Sequence, residues 1–137
     1  MVIEEFAFEF EDKTIKSQIL KLGTKEDQAA ASKKENHIAI KEGSKYRFKV
    51  KFSVNGEIVP VLKFTNVVKS SLKNSEDSLV LGSYGPGATH SFTFPRYGWN
   101  EAPAGFMFRG RYQAQMKFTD ADNNTHLDVA YGLNITK

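Results

Sequence analysis

The residues that could carry chemistry in this chain are few and dispersed. His37, His90 and His126 are scattered, and none stands with another histidine or a carboxylate at metal-ligand spacing. Asp120 and Asp122 supply half of a calcium site, but the loop lacks the glycine and the distal glutamate that a calcium-binding loop of the helix-loop-helix kind needs. The turn Gly82-Ser83-Tyr84-Gly85-Pro86-Gly87 is rich in glycine, yet no helix follows it to present an anion-binding N-terminus. Nucleophile-elbow, P-loop and dinucleotide fingerprints are missing. The chain has no cysteine, so disulfides, cysteine-ligated zinc and thiol nucleophiles are all excluded. This pattern predicts neither an enzyme nor a cofactor. Two features remain that could bind rather than react. One is a row of cations, Lys45, Arg47, Lys49 and Lys51, and the other is a large supply of apolar side chains, including 11 phenylalanines.

Both features belong to stretches that alternate with period 2, which marks a half-buried strand. Between Lys45 and Val54, Tyr46, Phe48, Val50, Phe52 and Val54 take one face while the basic row takes the other. The longest such stretch runs from Phe106 toward Asp122. Phe106, Phe108, Gly110, Tyr112, Ala114, Met116 and Phe118 share a face opposite Arg109, Arg111, Gln113, Gln115 and Lys117. As one strand through Phe118 it would span roughly 40 Å. Ala114 is conspicuously small between Tyr112 and Met116, so a neighbour or a ligand must fill that space.

Other strands are expected at Glu4–Glu11, Gln18–Leu22, His37–Ile40, Ile58–Val68, Leu79–Leu81, Ser91–Phe94 and Leu127–Ile135. Asn55-Gly56 reads as a type I′ hairpin turn returning the chain antiparallel, with Pro60 confining the next strand's start to an edge or bulge. Thr24–Asn36 has three alanines among charges and reads as a connector, a short surface helix or a loop, without a functional role. Lys69–Ser78 reads as a polar loop, and Arg96–Ala104 as a loop carrying Trp99. Short strands with turn signals every eight to twelve residues predict an all-β, immunoglobulin-like antiparallel β-sandwich forming one domain over residues 1–137.

A content of 40% hydrophobic residues in 137 supports an ordinary folded core. The formal net charge of +3 is too mild to imply nucleic-acid binding. No run of eighteen apolar residues and no signal peptide is seen, which with the absence of cysteine suits the cytoplasm. Two readings of the apolar faces stay open: a closed core, or sheets held apart around an apolar ligand. The basic row likewise reads as a solvated face or as a surface for anionic lipid or a phosphate backbone. Single-stranded nucleic-acid binders interleave aromatics with charge on the exposed face, whereas here the aromatics alternate to the opposite one.

Several stretches, taken in series, resemble the Rho GDP-dissociation inhibitor family. They are Lys41-Glu42-Gly43 with Tyr46-Arg47, Phe52–Val59, Gly82–Pro86, Glu101–Gly105, Arg109–Tyr112, Phe118–Asp122 and His126-Leu127. The resemblance runs from about Ile38 to Ile135 and more loosely from Val2. It implies a protein that holds prenylated Rho- or Rac-family small GTPases in the cytosol by taking their C-terminal farnesyl or geranylgeranyl group between the two sheets. It further implies a monomer that touches membranes only transiently and restrains GDP release. The family's prenyl-pocket positions look to fall on Phe52, Ala114 and Tyr131, with Leu22, Phe64, Met116, Val129 and Leu133 as neighbours. Acidic positions that meet the GTPase's basic tail look to fall on Glu101, Asp120 and Asp122. Departures are informative: Val129 and Tyr131 stand where two tryptophans are expected, Ala121 and Asn100 replace acids, and Arg96–Trp99 looks inserted. The family's long N-terminal arm is expected to be absent or very short, weakening inhibition of nucleotide release. The competing class is a closed-core interaction module using the basic row on anionic lipid or nucleic acid.

Overall fold

The computed structural model describes residues 1–69, 74–95 and 97–137. It contains ten strands among these residues, in two stacked sheets. The first sheet is built from β1 (Val2–Phe10), β2 (Gln18–Lys21), β4 (Lys45–Ser53) and β7 (Thr89–Phe94), in the order β2-β1-β4-β7. A two-residue strand, β8 (Asn100–Glu101), pairs with the start of β4. The second sheet has the order β3-β10-β9-β5-β6, from β3 (Ile38–Lys41), β5 (Val59–Lys69), β6 (Asn74–Tyr84), β9 (Gly110–Thr119) and β10 (Thr125–Thr136). The sandwich expectation holds, with one refinement: β3 runs parallel to β10, so the second sheet is not wholly antiparallel.

Period-2 faces become the inner faces. Phe48, Val50 and Phe52 of β4 are buried, as are Tyr112, Ala114, Met116 and Phe118 of β9. Aromatic rings meet across the gap between the sheets. Phe6 and Phe48 of the first sheet lie 6.3 Å, ring centre to ring centre, from Phe64 of the second, and Phe6 lies 5.6 Å from Tyr131 in an edge-to-face arrangement. Offset and edge-to-face geometries at these distances are favourable packing for π systems. They fill the middle of the sandwich.

Three local expectations are corrected. The long strand begins at Gly110, because Phe106–Phe108 form a 3-10 turn with Phe106 and Met107 exposed. Gly105 and Gly110 bracket that turn with positive φ, a backbone state that only glycine adopts freely. Asn55-Gly56 is not a hairpin. β4 pairs with β1 and β7 in one sheet and β5 with β6 and β9 in the other, so the turn carries the chain across the sandwich. Only Gly56 of the pair has positive φ, which excludes a type I′ turn. Asn74–Ser78, within the expected polar loop, is the first half of β6, an edge strand whose outer residues are solvated. Ser70–Lys73 lie outside the described residues, and so does Arg96 of the expected insertion. Pro60 behaves as anticipated, since β5 is irregular against β6 between Val59 and Lys63.

The connector holds α1 (Lys25–Ala30), capped by Thr24, whose hydroxyl accepts from the Asp27 amide at 3.0 Å. A 3-10 turn at Lys34–Asn36 then leads into β3.

Candidate functional site

A cavity of about 200 Å³ opens between the sheets at the end where β4 begins and β10 finishes. Ile40, Leu133 and Ile135 supply its apolar wall, and Tyr46, Asp77 and Asn100 a polar one. Each is there through strand alternation: Asp77 is an inward residue of β6, and Leu133 and Ile135 are inward residues of β10. Glu101 stands at the rim.

The rim is held by a short network. The Glu42 carboxylate accepts from Arg109 Nε at 2.8 Å, from Arg109 Nη2 at 2.9 Å and from the Gly105 amide at 3.2 Å. The bidentate fork holds Glu42 below the usual carboxylate range. The Gly43 amide donates to the Ala102 carbonyl at 3.2 Å, and the Ala102 amide to the Ser44 carbonyl at 2.9 Å. The Lys41–Ser44 turn and the segment after β8 are thereby tied together, and Gly43 takes the positive φ that this turn requires.

Electrostatically the cavity is not that of a plain hydrocarbon pocket. Desolvation raises the Asp77 carboxyl above its usual value. Burial, with the Asp77 charge nearby, pushes the Tyr46 hydroxyl up to about 12. The Asn100 Nδ2 group is buried with no hydrogen-bond partner among the described residues. One layer deeper, two residues back along β10 and β5 from Leu133 and Val68, the Tyr131 hydroxyl donates to Asn66 Oδ1 at 2.6 Å. Both residues are buried, and burial drives the Tyr131 hydroxyl far upward despite that bond.

The eight apolar residues singled out for a lipid pocket, Leu22, Phe52, Phe64, Ala114, Met116, Val129, Tyr131 and Leu133, all lie in one continuous buried core. Leu133 is the member that lines the cavity. Ala114 stands opposite Tyr131 on β10 and Val68 on β5, so the space beside the small residue is bordered by larger neighbours. Sequence reasoning missed Asp77 and Asn66 altogether, and marked Asn100 only as standing where an acid is expected. The available signal was weak: Asp77 alternates with Leu79 and Leu81 on the inward side of β6, inside a stretch that reads as loop.

The three acidic positions are not brought together. Glu101 pairs with Lys45 beside the cavity, whereas Asp120 follows the opposite end of β9, where Thr119 pairs with Thr125. Eight or so residues of strand separate the two ends, roughly 25 Å. Asp120 is buried and organises its own turn. It accepts from the Asp122 amide at 2.9 Å, the Asn124 amide at 3.1 Å, Asn124 Nδ2 at 3.3 Å and His126 Nε2 at 2.7 Å. Desolvation opposes its ionisation, but these bonds outweigh it and hold the carboxyl below its usual value. Asp122 is exposed beside it.

Three of the four cations in the basic row are countercharged within their own sheet, whereas Lys49 stands between Ala7 and Thr93. Lys45 stands opposite Glu101, Arg47 opposite Glu9 and Lys51 opposite Glu5. Arg47 Nε lies 3.4 Å from Glu9 Oε1, and Lys51 Nζ lies 3.9 Å from Glu4 Oε2. The Arg47 guanidinium also sits 4.5 Å above the Trp99 ring, so Trp99 covers part of this face. Among the described residues no group of three or more acidic, histidine or cysteine side chains could hold a metal ion. Among them, too, no helix is long and apolar enough to cross a membrane.

Comparison with known proteins places this geometry in a family. A family model described as RHO protein GDP dissociation inhibitor matches residues 5–137. A Dictyostelium discoideum protein named putative rho GDP-dissociation inhibitor 1 is 39% identical over 137 residues, covering 98% of this chain and 68% of its own. A Caenorhabditis elegans probable rho GDP-dissociation inhibitor is 37% identical over 113 residues, covering 81% of this chain and 58% of its own. Rho GDP-dissociation inhibitor 1 of Bos taurus is 37% identical over 106 residues, covering 76% and 50%. The chain thus spans between half and about two thirds of the length of these relatives. With a matching model over nearly its whole length and a relative of this identity, the chain belongs to the Rho GDP-dissociation inhibitor family.

Proposed function

We propose that this chain binds prenylated Rho-family GTPases, takes the isoprenoid in at the cavity between its sheets, and restrains GDP release while keeping the GTPase in the cytosol. It acts as a monomeric regulator, not an enzyme, in keeping with a family whose members are named for inhibition. The observation that carries the reading is the inter-sheet cavity bounded by Leu133, Ile135 and Ile40, with Glu101 at its rim where a basic tail would pass.

The magnitudes show what such binding requires. At about 0.8 kcal/mol per buried CH₂, a chain of 15 to 20 carbons gains on the order of 12–16 kcal/mol on leaving water. A bilayer offers much the same burial, so contacts with the GTPase must tip the exchange. The cavity, at about 200 Å³, is smaller than the roughly 300–1,000 Å³ of ordinary ligand pockets. Tyr46, Tyr112 and Leu133 must therefore yield as the lipid enters, and their displacement offsets part of the gain. Tyr112 is held by a 2.7 Å bond from its hydroxyl to the Phe108 carbonyl, so the mouth widens when that bond opens.

The test is titration of a fluorescent geranylgeranylated peptide beside its unprenylated twin, on the native protein and on Leu133→Trp. Micromolar or tighter binding of only the prenylated peptide, lost in the variant with the fold intact, is the expected result. Equal binding of both peptides, or of neither, overturns the reading. The competing anionic-surface reading is weakened by the carboxylates opposite Lys45, Arg47 and Lys51 in the basic row. It would show instead as binding that ignores the lipid and falls steeply with salt.

A further inference from the structure

The connector between β2 and β3 folds over the outer face of the second sheet and leaves a groove of about 750 Å³ beneath it. We infer that this groove is a binding site for a compact multivalent phosphate anion of the inositol-phosphate type, separate from the inter-sheet cavity and independent of the isoprenoid reading. Three cations line it from three distant stretches: Lys34 of the connector, Lys69 at the end of β5 and Arg111 of β9. Gln113 adds an amide donor, and no carboxylate is among the described lining residues. The contrast with the first sheet is direct, because the basic row there faces Glu5, Glu9 and Glu101. Acids on this face stand outside the lining: Glu76 is the cross-strand neighbour of Val67, and Asp128 is engaged by the Gln115 side chain.

The floor is shaped for close approach. Gly132 of β10 has the His37 ring lying against it, so that a Cβ at position 132 would sit 2.2 Å from His37 Nε2. The ring thereby forms one wall of the groove. Its Nε2 is 3.4 Å from the Ser32 carbonyl, while its Nδ1 is buried with no partner among the described residues. A guanidinium such as Arg111 matches phosphate geometry in a bidentate way. The groove's size falls within the range of small-ligand sites. Among the described residues its strand face presents no aromatic platform for stacked bases, which argues against a nucleic-acid strand.

The probe is inositol 1,4,5-trisphosphate, titrated calorimetrically into the full chain. Saturable binding should weaken on the order of tenfold in Arg111→Ala and again in Lys69→Ala, since each removes a charge-assisted contact. Lys49→Ala, on the other sheet, should leave affinity unchanged. Gly132→Ala keeps every charge but drives the His37 ring off the floor, and should also weaken binding. An unchanged urea midpoint for the exposed Arg111 and Lys69 variants separates loss of the site from loss of the fold. A second arm uses phosphatidylcholine vesicles carrying either phosphatidylinositol 4,5-bisphosphate or phosphatidylserine at matched charge. Binding to the free trisphosphate alone assigns a soluble ligand, and added preference for the bisphosphate vesicles assigns a lipid headgroup. No heat with the trisphosphate, or equal affinity in Arg111→Ala, overturns the proposal.

Discussion

Removing the Tyr131 hydroxyl tests how the interior next to the cavity is held. The hydroxyl donates to Asn66 Oδ1 at 2.6 Å, both residues are buried, and Asn66 Nδ2 already lacks a partner among the described residues. Tyr131→Phe leaves Oδ1 unsatisfied as well, a loss of about 1–3 kcal/mol. Asn66→Leu alone strands the hydroxyl at a similar cost. The double variant Asn66→Leu/Tyr131→Phe removes donor, acceptor and the unpaired amide together, and replacing both partners by apolar groups of similar shape is nearly neutral or stabilising. With a urea dependence of about 2 kcal/mol per molar, a loss of about 2 kcal/mol lowers the midpoint by about 1 M. Each single variant should therefore shift by about that amount, while the double variant returns close to the native midpoint. Because the pair lies one layer behind Leu133 and Val68, the double variant also opens an apolar path from the cavity inward and should bind geranylgeranylated peptide more tightly. Additive losses in the double variant, or single variants within about 0.2 M of the native midpoint, would refute the reasoning.

Two further predictions concern pH. Desolvation raises the Asp77 carboxyl in the folded protein above 3.8, so its stabilising share is present below that value and lost as pH rises through the folded one. Asp77→Asn should consequently be more stable than the native chain at neutral pH and match it near pH 3; urea midpoints at both settle this, and a constant difference contradicts it. Asp120 is displaced the other way, so its contribution is present above 3.8 and disappears as pH falls through its lower folded value. Asp120→Asn should therefore be less stable at neutral pH, with faster amide exchange at Asp122 and Asn124 by NMR, and the deficit should shrink in acid; unchanged exchange at neutral pH would show that the turn does not depend on this carboxylate.

Much of the fold was legible in the sequence because alternation is a local property. The burial of Phe48, Val50 and Phe52 on β4, and of Tyr112 to Phe118 on β9, follows from period 2 alone. The same rule overreached at Phe106–Phe108, where alternation continues but two glycines and the Glu42–Arg109 fork turn the backbone into a 3-10 helix. Asn55-Gly56 misled for a different reason. A turn signal reports where the chain bends, but both edges of β4 are occupied by β1 and β7, so β5 had to join the other sheet. Asn74–Ser78 read as loop because an edge strand with one solvated face carries few apolar residues.

The candidate site divides along the same line. Strand faces, the one-sided burial of Leu22, Phe52, Phe64, Ala114, Met116, Val129, Tyr131 and Leu133, and family membership through motifs in series were all within reach of the sequence. Tertiary structure alone decided that β3 pairs parallel to β10, that Glu101 and Asp120 lie at opposite ends, and that the middle of the sandwich is filled by rings while one end stays open. It alone brought Lys34, Lys69 and Arg111 to one groove. The reason is physical: which face a residue takes is set by its neighbours in the chain. Which faces meet is set by competition among strand edges and apolar surfaces far apart in sequence.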